Sequence, residues 1–95
     1  MNDAYPLSGL RVVDTSQGIA GPSAAMMLAR CGAQVIKVEP PSGDRSRIKG
    51  FNAARIAAQT VANNFGKRSI AVDMKHPDGA QVVRRLVRDA DVFIE

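Results

Sequence analysis

The sequence predicts an α/β fold, a parallel sheet with helices against its faces. Three observations carry that expectation. Short β-branched runs alternate with helical segments along the 95 residues. The first run passes into a helix through a polar turn that contains Gly18 and Gly21. The last helical segment repeats apolar residues at helix period, with Val83, Leu86, Val87 and Ala90 on one face. Strands separated by helices are joined by right-handed crossovers, and such crossovers make neighbouring strands parallel.

Residues 1–9 read as a loose arm ending in the turn Ser8-Gly9. Leu10–Thr15 is a first strand, apolar enough to be central and covered on both faces. Ser23–Cys31 is a helix, with Pro22 suited to its first turn and Gly32 to its stop. It is apolar nearly all round apart from Arg30, so it should lie between the sheet and a further layer. Gln34–Glu39 is a second strand, closed by Pro40-Pro41, and the following PSGDRSR is a loop. Asn52–Asn64 has helical composition at first and β-branched residues later, at Thr60 and Val61, which predicts a partly helical segment. Arg68–Asp73 is a third strand, and His76-Pro77-Asp78-Gly79 opens the last helix. Arg84, Arg85 and Arg88 fall on that helix's solvent side, and Asp91–Glu95 is a fourth strand. The sequence stops inside an apolar strand, with no helix after it to cover a buried sheet. Residues 1–95 are therefore expected to form the opening part of a larger domain.

Composition narrows the function classes. Only 4% of residues are aromatic and none is Trp, which argues against modules that stack single-stranded bases. The net charge of +4 is concentrated between Arg45 and Lys75, where only Asp73 opposes the cations. That concentration points to an anionic ligand or to a solvated face. No helix-turn-helix or other reader motif supports a nucleic-acid partner. Cys31 stands alone, which excludes a disulfide framework and a cysteine metal cluster and predicts a buried structural thiol. There is no signal-peptide pattern and no apolar run of membrane-spanning length, so a cytoplasmic protein without a membrane partner is expected.

Gly18 and Gly21 sit where a strand hands over to a helix, and free backbone N–H groups there can meet an anionic ligand. Glu39 stands about where a ribose-binding acid would be in a dinucleotide site. The glycines read G-x-x-G-P, however, and not G-x-G-x-x-G, so a nicotinamide-dependent oxidoreductase is the lesser reading. The segment from Asn63 to Lys75 joins a cationic loop to a strand, with Lys67 and Arg68 at one end and Lys75 at the other. Lysines suit phosphate as point charges, and they also shield strands from mispairing. Asp14 and Asp73 end strands, but nothing in sequence pairs them with a base or a metal. His76, before a proline, reads as a turn residue. No catalytic constellation and no metal-ligand set is visible.

The array PLSGLRVVD, AGPSAAMMLARCGAQVIKVEPPSGDRSR, NNFGKRSIAVDMKHPDG and DADVFIE resembles the opening of a family III CoA transferase. This is the group of formyl-CoA transferase, the carnitine-CoA transferases and α-methylacyl-CoA racemase. The resemblance runs from Pro6 to Glu95. Its most specific parts are GAQVIKVEPP followed by GDRSR, then Gly66-Lys67-Arg68-Ser69 and Val72-Asp73-Met74-Lys75.

The resemblance implies a Rossmann-like large domain, a smaller second domain and an interlocked homodimer. It implies movement of CoA between an acyl-CoA and a carboxylic acid through an aspartyl-CoA thioester, with coenzyme A as substrate and no prosthetic group. The nucleophilic aspartate would lie beyond position 95, so no catalytic residue is expected in this chain and it should not catalyse alone. A racemase of the same family is the nearest alternative. Carried over by position, Ile19 and Ala20 match the CoA-contacting turn, and Val72, Asp73, Met74 and Lys75 match a stretch that contacts the coenzyme's nucleotide end. Ile19 stands where formyl-CoA transferase has a glutamine, which argues against oxalate/formate specificity. Pro40 stands in place of an arginine contact, and Arg45 and Arg47 are the candidates to replace it.

Overall fold

The computed structural model describes residues 5–44 and 53–95. Among the described residues seven elements alternate: β1 (Arg11–Asp14), α1 (Ala20–Arg30), β2 (Gln34–Glu39), α2 (Ala53–Asn64), β3 (Arg68–Ala71), α3 (Pro77–Arg88) and β4 (Val92–Ile94). The strands form one parallel sheet in the order β3-β2-β1-β4. β1 is thus an inner strand, as its apolar run predicts. In register, Val13 lies beside Ile36 of β2 and Phe93 of β4, and Ile36 lies beside Arg68 of β3.

Side chains alternate across a strand, and here each face has its own core. Val12 and Val35 pack with Ala25 and Ala33, with Leu28 and Ala29 of α1 closing over them. Val13, Val38 and Val72 face the other way, against Val83, Leu86, Val87 and Ala90. The apolar stripe read from the last helix is therefore its packing face. Arg84, Arg85 and Arg88 are exposed, as expected.

α1 begins three residues earlier than its sequence suggests. Pro22 stands inside the first turn, where its missing N–H would have no intrahelical acceptor in any case. The Ser23 N–H closes that turn on the Ile19 carbonyl. The helix ends at Cys31, and Gly32 follows with φ of 106°, the left-handed stop that a glycine supplies. Cys31 is exposed, against the expected buried thiol: as the C-cap it lies past the helix's packed face. The covering layer expected over α1 is supplied partly by α2, which packs against it, while Met27 stays 63% exposed.

α2 is helical through Thr60 and Val61, so their β propensity is overridden by tertiary packing. β3 stops two residues short of its expected end. The Val72 N–H still reaches the Glu39 carbonyl, but Asp73 then turns the chain by accepting the Lys75 N–H on its side chain and the His76 N–H on its carbonyl. His76 caps α3: its Nδ1 accepts the Asp78 N–H at 3.1 Å, with Pro77 at the first helical position. Residues 5–9 are not a loose arm. The Leu7 N–H bonds the Cys31 carbonyl, and the Leu7 side chain packs on the α1-side core.

Candidate functional site

All four strands run the same way, so their carboxyl ends share one edge of the sheet. Two loops leave that edge on either side of β2. One follows β1 and carries Ile19 and Ala20 into the start of α1. The other follows β3 and carries Asp73, Met74 and Lys75 into α3. The chain also reverses its progress across the sheet at β1, with β2 and β3 to one side and β4 to the other. In open α/β sheets, ligands bind at the carboxyl end of such a switch point.

Both helix starts are held tight against the strand ends by glycine. A Cβ on Gly21 would collide with the Cβ and Oγ of Ser16, and one on Gly79 would run into the Asp73 carbonyl. The Thr15 N–H and Oγ1 both donate to the Ile94 carbonyl, which ties the β1 end to β4.

Beneath this edge lies a buried charged network. Asp14 accepts the N–H of Ser16 at 2.9 Å and its hydroxyl on Oδ1. On Oδ2 it accepts Lys67 Nζ at 2.8 Å, and the two side chains are 0% and 1% exposed. The same ammonium donates to the Pro22 carbonyl at 2.9 Å and to Asn64 Oδ1 at 2.8 Å, so each of its three protons has an acceptor. Lys37 pairs with Asp44 at 2.6 Å and donates to the Ser16 carbonyl at 3.2 Å. Asp44 in turn accepts the Gly18 N–H at 3.3 Å. Burial lowers the Lys67 ammonium below the ordinary lysine pKa. The Asp14 hydrogen bond and charge oppose that shift, Lys37 adds to it, and Asp44 opposes it.

The predicted positions now have places. Ile19 is the N-cap of α1 and 60% exposed, and Ala20, beside it, is exposed too. Asp73, Met74 and Lys75 are exposed, whereas the Val72 side chain is buried beneath α3. Arg45 and Arg47 lie outside the described residues. Lys67 is not the open phosphate partner its sequence suggests, because Asp14 and two further acceptors hold it. Nor is the basic stretch a single patch. Arg68 lies at the amino end of β3, with Arg11 and Arg85 beside an open groove of about 220 Å³, at the opposite edge from Lys75. Sequence reading missed Ser16, Lys37 and Asp44. The available signal was Lys37, which shares strand parity with buried Val35. Among the described residues no group of His, Cys, Asp and Glu could hold a metal ion, and no helix is long and apolar enough to cross a membrane.

Comparison with known proteins decides the family. Residues 7–95 match the model for CoA-transferase family III. The chain belongs to that family. It is 49% identical to the succinate–glutarate CoA-transferase of Agrobacterium fabrum, over 99% of this chain and 26% of that protein. It is 40% identical to the human succinyl-CoA:glutarate CoA-transferase, over 100% of this chain and 22% of the relative. The crystal structure of a CAIB/BAIF family protein from Brucella suis superposes with a TM-score of 0.85 at 45% identity, covering 94% of this chain and 25% of that one. The chain thus spans about a quarter of the length of these CoA-transferase family III relatives.

Proposed function

We propose that residues 1–95 are the coenzyme-binding opening of the large domain of an acyl-CoA:carboxylate CoA transferase. The observation that carries this reading is the pair of exposed loops, Ile19-Ala20 and Asp73-Met74-Lys75, which leave one carboxyl sheet edge in a chain of CoA-transferase family III. In this reading the start of α1 offers backbone N–H groups to the coenzyme. Lys75 supplies a point charge for its phosphates. Val72 serves as the buried anchor of the second loop, and Arg45 and Arg47 are the further candidates to add positive charge for the coenzyme.

The chemistry belongs to an aspartate outside this chain. Its carboxylate attacks the donor thioester carbonyl and expels CoA thiolate, which returns to the resulting anhydride to give aspartyl-CoA and the free donor acid. The acceptor carboxylate then displaces the thiolate, and the thiolate takes the acceptor's acyl group, which restores the aspartate. Coenzyme A enters as substrate, and no prosthetic group is invoked. The names of the relatives make short dicarboxylates the acids to test first. We further propose a Rossmann-like large domain, an interlocked homodimer and a cytoplasmic setting, with no nucleic-acid or membrane partner. No observation favours the racemase or the nicotinamide alternatives.

Calorimetric titration of the full-length protein with coenzyme A and, separately, with NAD tests the reading. Saturable binding of coenzyme A with no NAD response is expected. NAD binding with indifference to coenzyme A would overturn it.

A further inference from the structure

Lys67 is conspicuous for where its contacts lie. It stands just before β3, yet its ammonium reaches the end of β1 at Asp14, the first turn of α1 at Pro22, and the end of α2 at Asn64. Asp14 in turn grips both the N–H and the hydroxyl of Ser16, in the turn that leads to Ile19. A neutral, apolar contact could join the same elements without the cost of burying charge. That cost is visible here, since desolvation outweighs the attraction of Asp14 and lowers the Lys67 pKa. What the ion pair adds is direction: the hydrogen bonds to Asp14 and Pro22 fix where the β1 end and the α1 start stand relative to each other, and the third ties the ammonium to Asn64 of α2.

We infer that Lys67 is a positioning residue, which holds the β1–α1 turn through Asp14 and the Pro22 carbonyl at the height where Ile19 and Ala20 meet coenzyme A. The inference rests on the coenzyme-binding reading above and adds to it a residue that does not itself touch the ligand. Ser16 follows Asp14, and α1 follows Lys67 through Pro22. Loss of the ammonium therefore frees both ends of the turn at once.

The test uses the full-length protein, with the coenzyme A dissociation constant and the thermal midpoint measured together. Lys67→Met should raise the dissociation constant about ten-fold and lower the midpoint, because Asp14 is left buried without its partner. Adding Asp14→Asn removes the stranded charge. The double variant should regain most of the midpoint while its dissociation constant stays raised. Recovery of both together would reduce Lys67 to a structural role and overturn the inference. Leu86→Ala, in the core on the other face and beside the amino-edge groove, supplies the control for instability alone and should leave the dissociation constant unchanged. An equal rise in that variant would also overturn the inference. Should Lys67→Met fail to fold, Asn64→Ala removes one acceptor and keeps both charges. It should weaken coenzyme A binding by about three-fold, and unchanged affinity would overturn the inference. Indifference of the unsubstituted protein to coenzyme A is a separate result, and it defeats the binding reading itself.

Discussion

The two edges of the sheet use cations in opposite ways. At the amino edge, Arg11, Arg68 and Arg85 are exposed around an open groove, with Asp89 nearby. Beneath the carboxyl edge, the side chains of Lys37 and of Lys67, which reaches in from just before β3, are almost wholly buried and committed to Asp44 and Asp14. The exposed charges are loosely placed and screened by solvent, which makes them a poor basis for a specific site. The buried ones bind nothing external, but they fix the backbone that carries the exposed loops. A count of basic residues therefore misleads: Lys75 is open to a ligand, but Lys37 and Lys67, which fix the backbone of the candidate site, are not.

Substitutions can break that contrast, and the largest effect should come from Lys67→Met. Breaking a buried ion pair by removing one partner costs about 3–5 kcal/mol. Denaturant unfolding of the full-length protein should show a loss of that size, and a loss below about 1 kcal/mol would mean the pair behaves as a surface one. Gly79→Ala comes next. Its new Cβ would meet the Asp73 carbonyl, a backbone atom that cannot yield without moving the Asp73–Lys75 turn. A loss of about 1–3 kcal/mol is expected, with weakened coenzyme A binding measured in the same sample. His76→Ala should cost about 1 kcal/mol through loss of the α3 cap, and His76→Asn should restore most of it.

A smaller, signed effect follows from the titration of Lys67. Its folded pKa lies below the ordinary 10.5, so between the two values the unfolded chain holds more protons than the folded one. Its contribution to stability is present above 10.5 and is lost as pH falls through the folded value. The stability of the native protein relative to Lys67→Met should therefore grow as pH rises toward 10.5, which unfolding curves at several alkaline pH values would measure. Smallest of all is Arg68→Ala at the amino edge, expected within about 0.5 kcal/mol of the native protein and without effect on coenzyme A affinity. A clear loss of affinity there would move the binding site to the wrong edge for this account.

Local pattern made much of the fold legible. β2 was bounded by its composition and Pro40, α3 by the period of Val83, Leu86 and Val87, and the parallel sheet by the alternation of elements. What stayed hidden depends on distance along the chain. Asp14 and Lys67 are 53 residues apart, and no local rule joins them. Lys67 beside Arg68 looks like a run of exposed charge until β3 is laid next to β2 and the lysine turns inward under α1. The start of α1 is hidden because Gly21-Pro22 reads as a boundary, while in the fold both residues fit inside a first turn that needs no N–H from the proline and no side chain from the glycine. The exposed loops at Ile19 and at Asp73–Lys75 were legible by family resemblance, and their shared edge only from the strand order.

Hydrogen exchange of the full-length protein, with and without coenzyme A, tests the account most directly. Slowed exchange at Ile19-Ala20 and at Asp73–Lys75, with the groove beside Arg11, Arg68 and Arg85 unchanged, is the result expected. Protection confined to that amino-edge groove, with both carboxyl-edge loops unaffected, would contradict it.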